Sequence, residues 1–214
     1  MKKNILIYTG ILVLIFTMSF GTLAVSLNDV VTVPTANITG YQGLISGSVN
    51  SDTAEIEGIY RLNSNLEVGG VLDFYDKPFE DNNELGPVVK LLLSPEKGNT
   101  PAVAAGIENE AMYLVLSKDL GYGWHTHMGV GNENYDGFFV GVNKVINPEV
   151  NVNISENEDS TAEKDSSMPP MKLMAEYVNK DINLGLRMNL KNSIYLDFGV
   201  LDLDKFQAGV SVGF

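Results

Sequence analysis

The 214-residue chain contains no cysteine, so disulfide bonds contribute nothing to its stability. Positive charge is also scarce, because 14 lysines and arginines stand against 27 aspartates and glutamates, a formal net charge of −13. Nucleic acid is therefore disfavoured as a partner, since phosphate binding requires clustered Lys and Arg. Beyond Gly40, no segment sustains the i, i+3, i+4, i+7 spacing of an amphipathic helix. The absence of this spacing excludes a predominantly helical fold.

The longest apolar run lies near the amino-terminal end. Residues 1–24, MKKNILIYTGILVLIFTMSFGTLA, combine two lysines, an apolar stretch and a small-residue exit, which are the three parts of a secretory signal. The apolar stretch is shorter than the ~20 residues that a spanning helix needs. We therefore predict a signal peptide that is cleaved after Ala24, in preference to an uncleaved anchor. About 190 residues then remain, which corresponds to one domain.

Most of the remaining chain alternates apolar and polar residues with the period of two that is typical of β-strands. In the segment from Ile182 to Leu190, for example, five apolar residues share one face, and Asn, Gly and Arg occupy the other. Clusters of Gly, Asn, Asp and Ser separate such segments at short intervals. The pattern predicts about twelve strands of roughly 8–10 residues, the length that a tilted strand needs to cross a bilayer.

Alternation of this kind fits both a soluble β-sandwich and a transmembrane barrel. The second face is rich in glycine, which weakens an exposed strand but relieves crowding inside a narrow barrel. Aromatic residues lie mostly toward strand ends, where membrane barrels carry aromatic girdles. We therefore predict an all-β fold, an antiparallel transmembrane β-barrel of about 12 strands over residues 43–214, surrounded by the lipid of a bacterial outer membrane. Residues 25–42 are assigned to a periplasmic or plug segment. A secreted soluble β-sandwich that binds carbohydrate is the alternative.

The last ten residues, KFQAGVSVGF, alternate strictly. Their apolar stripe includes Phe206, Val210, Val212 and Phe214, and it resembles the carboxyl-terminal insertion signal of bacterial outer-membrane proteins. In a closed barrel this strand pairs with the first strand and removes the sheet edge. The resemblance implies that the barrel-assembly machinery is a partner of the chain.

One long polar segment, residues 153–170, has the sequence NISENEDSTAEKDSSMPP. It is acidic and rich in serine, and it ends on two prolines, so it is predicted to form an exposed loop. Its carboxylates lack the regular spacing of a calcium-binding loop. Residues 149–153 also alternate, which leaves the strand parity open. Because periplasmic turns of outer-membrane barrels are short, we expect this loop to be extracellular.

Three charged residues lie on the inward faces of consecutive predicted strands: Glu176, Arg187 and Asp197. Hairpin turns near Lys180 and Asn192 bring Arg187 opposite Asp197 and within a diagonal of Glu176. We predict a charge network in the lumen. A structural salt-bridge network is favoured over a selectivity filter or a sugar-binding lining.

Two histidines, His125 and His127, share one strand face and are the chain's only imidazoles. A metal site would need a third ligand, which the sequence does not fix. A catalytic serine–histidine pair would need a serine beside them, and no recognisable pattern supplies one. We therefore predict that the chain is not an enzyme and that it holds no metal or other cofactor.

Several short pieces, in their order and spacing, resemble the YjbH-like family of outer-membrane proteins associated with exopolysaccharide production. They are Val33-Pro34-Thr35-Ala36, Leu66-Glu67-Val68-Gly69, Leu116-Ser117-Lys118, Met128-Gly129-Val130-Gly131, Ala175-Glu176-Tyr177, Asn183-Leu184-Gly185-Leu186-Arg187 and Leu196-Asp197-Phe198-Gly199. The chain corresponds to a short, single-barrel member. The resemblance implies a structural or transport-linked barrel that supports exopolysaccharide production or export and has polysaccharide as a partner. A monomer is expected.

Overall fold

The computed structural model describes residues 32–75, 83–146, 169–191 and 193–214. Within these ranges, twelve strands form one closed antiparallel sheet. In chain order they are β1 (Gly43–Val49), β2 (Thr53–Asn63), β3 (Leu66–Tyr75), β4 (Asn83–Ser94), β5 (Ala102–Glu108), β6 (Ala111–Gly121), β7 (Trp124–Gly131), β8 (Gly137–Ile146), β9 (Met171–Val178), β10 (Asp181–Lys191), β11 (Ile194–Leu201) and β12 (Lys205–Gly213). A 3₁₀ helix, Glu133–Tyr135, connects β7 to β8. No helix in the described ranges is long and apolar enough to cross a membrane.

The barrel closes where β12 pairs with β1. Six residue pairs join these strands, from Leu44 opposite Gly213 to Val49 opposite Ala208. Each of the other strand pairs joins neighbours in the chain, so the topology is an up-and-down meander. The predicted fold class, an antiparallel barrel of twelve strands, is confirmed. The predicted signal peptide, residues 1–24, lies outside the described residues.

The outer surface of the barrel is a belt of large apolar side chains. Along β6, buried and exposed residues alternate strictly from Ala111 to Ser117. Leu91, Leu114 and Met128 on three different strands are 44%, 43% and 42% exposed. Soluble proteins rarely expose a contiguous apolar surface of this extent. The belt is the surface that a membrane-spanning barrel requires, and the barrel spans the bacterial outer membrane with its strands.

Inside the barrel, glycines make room for aromatic rings on neighbouring strands. Gly106 lies opposite Tyr113, and Gly129 lies opposite Phe139. A Cβ atom at Gly106 would lie 2.3 Å from the Tyr113 ring, and one at Gly129 would lie 2.3 Å from the Phe139 ring. Any larger residue at these two positions would displace the ring from the lumen. The glycine-rich face of the sequence is thus the face that allows the interior to be filled.

Two groups of buried apolar side chains fill much of the lumen. One group, on the side of β5 to β9, includes Tyr113, Phe139 and Val178 together with Val33 and Ala36. The other comprises Tyr41, Leu44, Ile59, Val71, Val88 and Tyr195. Each group contains residues that precede β1 in the chain. The interior is therefore a packed core over part of its cross-section and not an open pore.

The two rims of the barrel are defined by its first and last strands. At the terminal rim β1 begins with Gly43 and β12 ends with Gly213, and the opposite rim is the distal rim. Because successive strands alternate in direction, β8 also ends and β9 also begins at the terminal rim. An even strand number leaves both chain ends on one side, which in the outer membrane is the periplasmic side.

This topology changes the prediction for the location of residues 153–170, of which 153–168 lie outside the described ranges. An extracellular loop required either that residues 43–50 were not a barrel strand or that residues 149–153 crossed the membrane. Gly43–Val49 is a strand that pairs with both β2 and β12. The connection from β8 to β9 therefore starts and finishes at the terminal, periplasmic rim, although its residues 147–168, which include 149–153, lie outside the described ranges. Strand parity thus predicts a periplasmic location for residues 153–170, against the tendency of long loops to be extracellular.

Cysteine labelling on cells tests this orientation. Ser51→Cys, in the turn after β1 at the distal rim, should react with a membrane-impermeant maleimide on intact cells. Lys97→Cys, in the turn between β4 and β5, and Ser160→Cys should react only after the outer membrane is permeabilised, because both connections are at the terminal rim. Strong labelling of Ser160→Cys on intact cells would contradict the periplasmic assignment.

Candidate functional site in the barrel lumen

Residues 32–42, here called the inner segment, run inside the barrel before the chain enters β1. Val33, Thr35 and Ala36 are fully buried, and Thr39 and Tyr41 are buried as well. The segment is not a strand of the sheet, so side chains of the barrel wall must supply hydrogen bonds to its backbone. Three such positions, on three different strands, hold it.

The first position is Glu176 on β9. Its carboxylate accepts hydrogen bonds from the backbone N–H of Thr32 at 3.0 Å, the N–H of Val33 at 2.9 Å and the Thr32 hydroxyl at 2.5 Å. Asn183 on β10 donates its side-chain N–H to the same carboxylate at 2.8 Å. Hydrogen bonds to an ionised carboxylate are about twice as strong as neutral ones. Glu176 is thus an anchor for the start of the inner segment.

The second position is Ser117 on β6. Its Oγ accepts the Ala36 N–H at 2.7 Å and lies 2.8 Å from Nδ1 of His127 on β7. Nε2 of His127 lies 3.1 Å from the side-chain amide of Asn143 on β8. All three side chains are buried. A substrate would have to displace the inner segment to reach the Ser117 hydroxyl. These three side chains therefore serve to hold Ala36 in place.

Sequence reasoning missed the partnership between Ser117 and His127. The two residues are register partners across the β6–β7 hairpin. They stand five residues before and five residues after Tyr122, so symmetric counting from the turn would have paired them. His125, two residues earlier on β7, lies nearer the terminal rim, with its Nδ1 4.0 Å from Oδ1 of Asp119. Within the described ranges, no three His, Asp or Glu side chains are grouped so that they would hold a metal ion.

The third position is Glu67 on β3. Its carboxylate accepts the Thr39 N–H and pairs with the ammonium group of Lys90 on β4, Nζ to Oε2 3.1 Å. The side chains of Glu67 and Lys90 are 0% and 1% exposed, so the ion pair is shielded from water. Arg61 on β2 donates to the Thr39 carbonyl at 2.9 Å. Both backbone groups of Thr39 are thereby bonded to the wall.

The anchors are spread around the barrel. Glu67, Ser117 and Glu176 lie on β3, β6 and β9, three strands apart along one half of the ring of twelve. In the other half, between β9 and β3, the Tyr41 hydroxyl lies 2.9 Å from the hydroxyl of Tyr195 on β11. The inner segment therefore crosses the lumen and is tied to its wall on every side.

Only one part of the predicted charge network, the pair of Arg187 and Asp197, is formed in the structure. Nε of Arg187 lies 2.5 Å from Oδ1 of Asp197, and the Ser211 hydroxyl donates to Oδ2 of Asp197 at 3.2 Å. Arg187 and Asp197 are also register partners, as hairpin counting predicts. On β9, however, Arg187 lies opposite Lys172, four residues or about 13 Å along the strand from Glu176. Glu176 serves the inner segment instead.

Arg187 lines two cavities that lie beside the inner segment or along the wall of the lumen. The mouth cavity, about 580 Å³, lies between the inner segment and the wall, and its lining includes Ile38, Leu92, Val145 and Lys172. The wall cavity, about 80 Å³, is lined by β1, β2 and β9 to β12. Its polar groups are those of Ser46, Ser48, Glu55, Glu57, Asp197, Gln207 and Ser211. Polar residues thus continue along one wall from the mouth toward the distal half.

The distal half of the lumen is acidic. Glu55 on β2 lies opposite Asp73 on β3, and Asp73 lies opposite Glu84 on β4. Glu57 and Glu108 both interact electrostatically with Glu55. Lys90 is a cation that interacts with both Glu57 and Glu108. Tyr135, from the 3₁₀ helix, donates its hydroxyl to Glu108 at 2.9 Å. This part of the lumen is therefore lined by more carboxyl groups than basic groups among the described residues.

The charges at the terminal rim have a different balance. Glu96, in the turn between β4 and β5, accepts hydrogen bonds from the Lys118 ammonium and the Asp119 amide. These hydrogen bonds lower the pKa of the Glu96 carboxyl below its ordinary value. Glu96 is consequently ionised at neutral pH, with its charge matched by Lys118. Arg187 and Lys172 are the other charged residues that line the mouth cavity.

A closed antiparallel barrel of twelve strands with an apolar outer belt is a porin-like fold of the bacterial outer membrane. No protein-family model and no curated protein matches the sequence. Among solved structures, the barrel is similar to "KdgM porin", with a TM-score of 0.53 and 9% identity over 80% of this chain and 98% of that one.

Two further solved structures are similar to this barrel. "KdgM porin in complex with disordered oligogalacturonate" has a TM-score of 0.52 and 10% identity over 80% of this chain and 98% of that one. The Acinetobacter baumannii outer membrane protein Omp33 has a TM-score of 0.46 and 12% identity over 81% and 98%. At these identities, the KdgM likeness establishes the fold alone. The soluble β-sandwich alternative is not supported, and the resemblance to YjbH-like proteins stays a prediction.

Replacement of Glu67 tests the buried ion pair. Glu67→Gln should lower the free energy of unfolding by about 3 kcal/mol, because it leaves the Lys90 charge buried without its nearest partner. This figure is at the low end for broken buried pairs because Glu57 and Glu108 also face Lys90. Denaturant unfolding of the barrel in lipid vesicles measures the change.

Two further variants complete that experiment. Glu67→Gln combined with Lys90→Met should recover much of the loss, because the unpaired charge is removed. Glu110→Gln, at an exposed position in the turn after β5, should leave stability unchanged. A stability of Glu67→Gln equal to that of the unmodified chain would mean that water reaches Lys90.

Proposed function

We propose that this chain is a channel of the outer membrane, not an enzyme, and that it passes small neutral or cationic solutes along one wall of its lumen. The observation that carries the proposal is that the mouth cavity and the wall cavity both border Arg187. A solute that enters at the terminal rim meets Arg187 and then a wall of hydroxyl and carboxylate groups. The Arg187–Asp197 pair is the narrowest point of this path in the proposal.

The inner segment explains why the path is confined to one wall. Its residues and their neighbours on β5 to β9 form a buried apolar group on the other side of the lumen. Anchors on β3, β6 and β9 hold the segment across the opening. The chain is therefore proposed to be a restrictive channel for small solutes, not a wide general porin.

Charge decides which solutes this path favours. Rings or clusters of Asp and Glu in a pore favour cations. Beyond Arg187 a solute meets Glu55 and Glu57 of the wall cavity and, beside them, Asp73, Glu84 and Glu108. One of the similar structures is a KdgM porin with oligogalacturonate, which is an acidic sugar. The acidic lining of this chain would repel such a solute, so neutral and cationic solutes are proposed instead.

A role in exopolysaccharide production is a finer hypothesis, supported by the resemblance to YjbH-like proteins. With the inner segment in place, the lumen has no room for a polymer chain. We therefore infer that such a role would lie in support at the membrane and not in conduction of the polymer. The surface polysaccharide of a strain that lacks this chain should be reduced, and an unchanged amount would count against the role.

Single-channel recording in planar bilayers tests the path through Arg187. Arg187→Ala should raise the conductance by roughly two-fold or more, since it widens the narrowest point and leaves Asp197 to attract cations. The reversal potential in a salt gradient should move toward stronger cation preference. Asp197→Asn should move it the other way.

Lys144→Ala is the matched control, because it removes one positive charge from a side chain that lies over the Trp124 ring, on the outer face of β8. It should change neither conductance nor selectivity. Each variant must keep the heat-dependent gel mobility of a folded barrel. Equal currents for Arg187→Ala and the unmodified chain would overturn the proposed path.

A further inference from the structure

The Glu55 carboxyl group lies in the lumen without a partner of opposite charge. Glu55 is on the inward face of β2 and lines the wall cavity, and protein atoms surround its carboxyl group on almost every side. The charged groups that act on it are Asp73 and Glu108, which have the same sign. No described residue donates a hydrogen bond to Glu55 or forms an ion pair with it. A buried carboxylate of this kind requires a compensating charge.

The other two carboxyl groups that line the wall cavity already have partners. Glu57 interacts electrostatically with the ammonium group of Lys90. Asp197 pairs with Arg187, which lies four strands from Glu55 around the barrel. Of the described residues that line the cavity, three are acidic and one is basic. The charge that remains unmatched in the wall cavity is therefore that of Glu55.

The strand register places four oxygen-bearing side chains in a rectangle on the inner wall. Ser46 on β1 lies opposite Glu57 on β2, and Ser48 lies opposite Glu55. All four residues line the wall cavity. Inward-facing neighbours on one strand are about 7 Å apart, and those across a strand pair are about 5 Å apart. An ion above the centre of this rectangle can therefore reach carboxylate and hydroxyl oxygens on both strands.

The wall cavity is small, and its lining does not suit a metal ion. Gly209 on β12 lies opposite Ser48, and because it has no side chain it leaves room beside the rectangle. The volume is about 80 Å³, which at roughly 30 Å³ for each heavy atom, the share of a water molecule, corresponds to two or three heavy atoms. Within the described part of the chain, no three Asp, Glu or His side chains are grouped so that they would hold a metal ion. A small monovalent cation with hydrogen-bond donors fits this lining better.

We propose that the wall cavity binds the primary ammonium group of a small amine. Such a group has three N–H donors and no acceptor, which matches a lining of carboxylate and hydroxyl oxygens. One donor bonds to the Glu55 carboxylate, a charge-assisted hydrogen bond, and the others bond to the hydroxyl oxygens of Ser46 and Ser48. The inference rests on the proposed channel, because the amine reaches the wall cavity along the path proposed there.

Saturation-transfer NMR of methylammonium with the full chain in lipid nanodiscs tests the site. Methylammonium replaces tetramethylammonium at constant ionic strength, and the signal of empty nanodiscs is subtracted. We expect one saturable site with a Kd on the order of 1–10 mM, which is near the limit for a ligand of two heavy atoms. Tetramethylammonium should not compete, because it has no N–H donor and is larger than the cavity.

Two matched variants show whether Glu55 carries the binding. Glu55→Gln keeps the shape of the side chain and removes its charge, so it should weaken methylammonium binding by about tenfold or more, the effect of losing a hydrogen bond to a charged group. Glu110→Gln removes the same charge from the exposed turn after β5 and should leave the binding unchanged. Both variants must keep the heat-dependent gel mobility of a folded barrel.

Absence of saturable binding would overturn the proposal, and so would equal methylammonium affinity in Glu55→Gln and Glu110→Gln. Glutamine resembles a carboxyl group that keeps its proton, so equal affinities would mean that a proton, and not a cation, compensates Glu55. The NMR signal reports binding without any current. A chain that conducts as proposed but gives no saturable signal loses this site alone, and a chain that binds methylammonium but shows no current loses the channel alone.

Discussion

The pairing of β1 with β12 is the constraint on which the rest of this structure depends. In lipid, each unpaired backbone N–H or C=O costs several kcal/mol, so a sheet persists there only when it has no edge. Closure with twelve strands also fixes the width of the lumen. That width lies between the eight-stranded barrels, which side chains fill, and the porins with 16 or more strands, which hold an aqueous channel. The interior must therefore be filled by something besides the side chains of the wall.

The inner segment supplies that filling, and it brings its own backbone into a place with little water. Buried backbone groups need partners, and the neighbouring strands already use their N–H and C=O groups for each other. The partners are consequently side chains: the carboxylates of Glu67 and Glu176 and the hydroxyl of Ser117. Their burial then requires further groups, which are Lys90, Asn183 and His127. These buried polar residues are therefore needed because the width of the barrel leaves room for the inner segment.

Local periodicity made most of the fold predictable. Alternation identified the strands and the two faces, and hairpin counting placed Arg187 opposite Asp197. The same counting pairs Ser117 with His127, so that contact was accessible although it was missed. The role of Glu176 was not accessible, because its partner Thr32 lies 144 residues away in a segment without any period. The location of residues 153–170 stays a prediction: their length favours the extracellular side, whereas the parity of the described strands favours the periplasmic side.

The strength of the anchors determines how the lumen can be used. At least seven hydrogen bonds tie the inner segment to Glu176, Ser117, Glu67, Arg61 and Tyr195. At about 1 kcal/mol net for each, release of the segment costs on the order of 7 kcal/mol before the burial of Val33 and Tyr41 is considered. That free energy corresponds to a released fraction of about one molecule in 10⁵. Spontaneous release is thus too rare to provide a pathway. A solute that passes through the barrel while the inner segment stays in place must travel along the polar wall beside it, past Arg187.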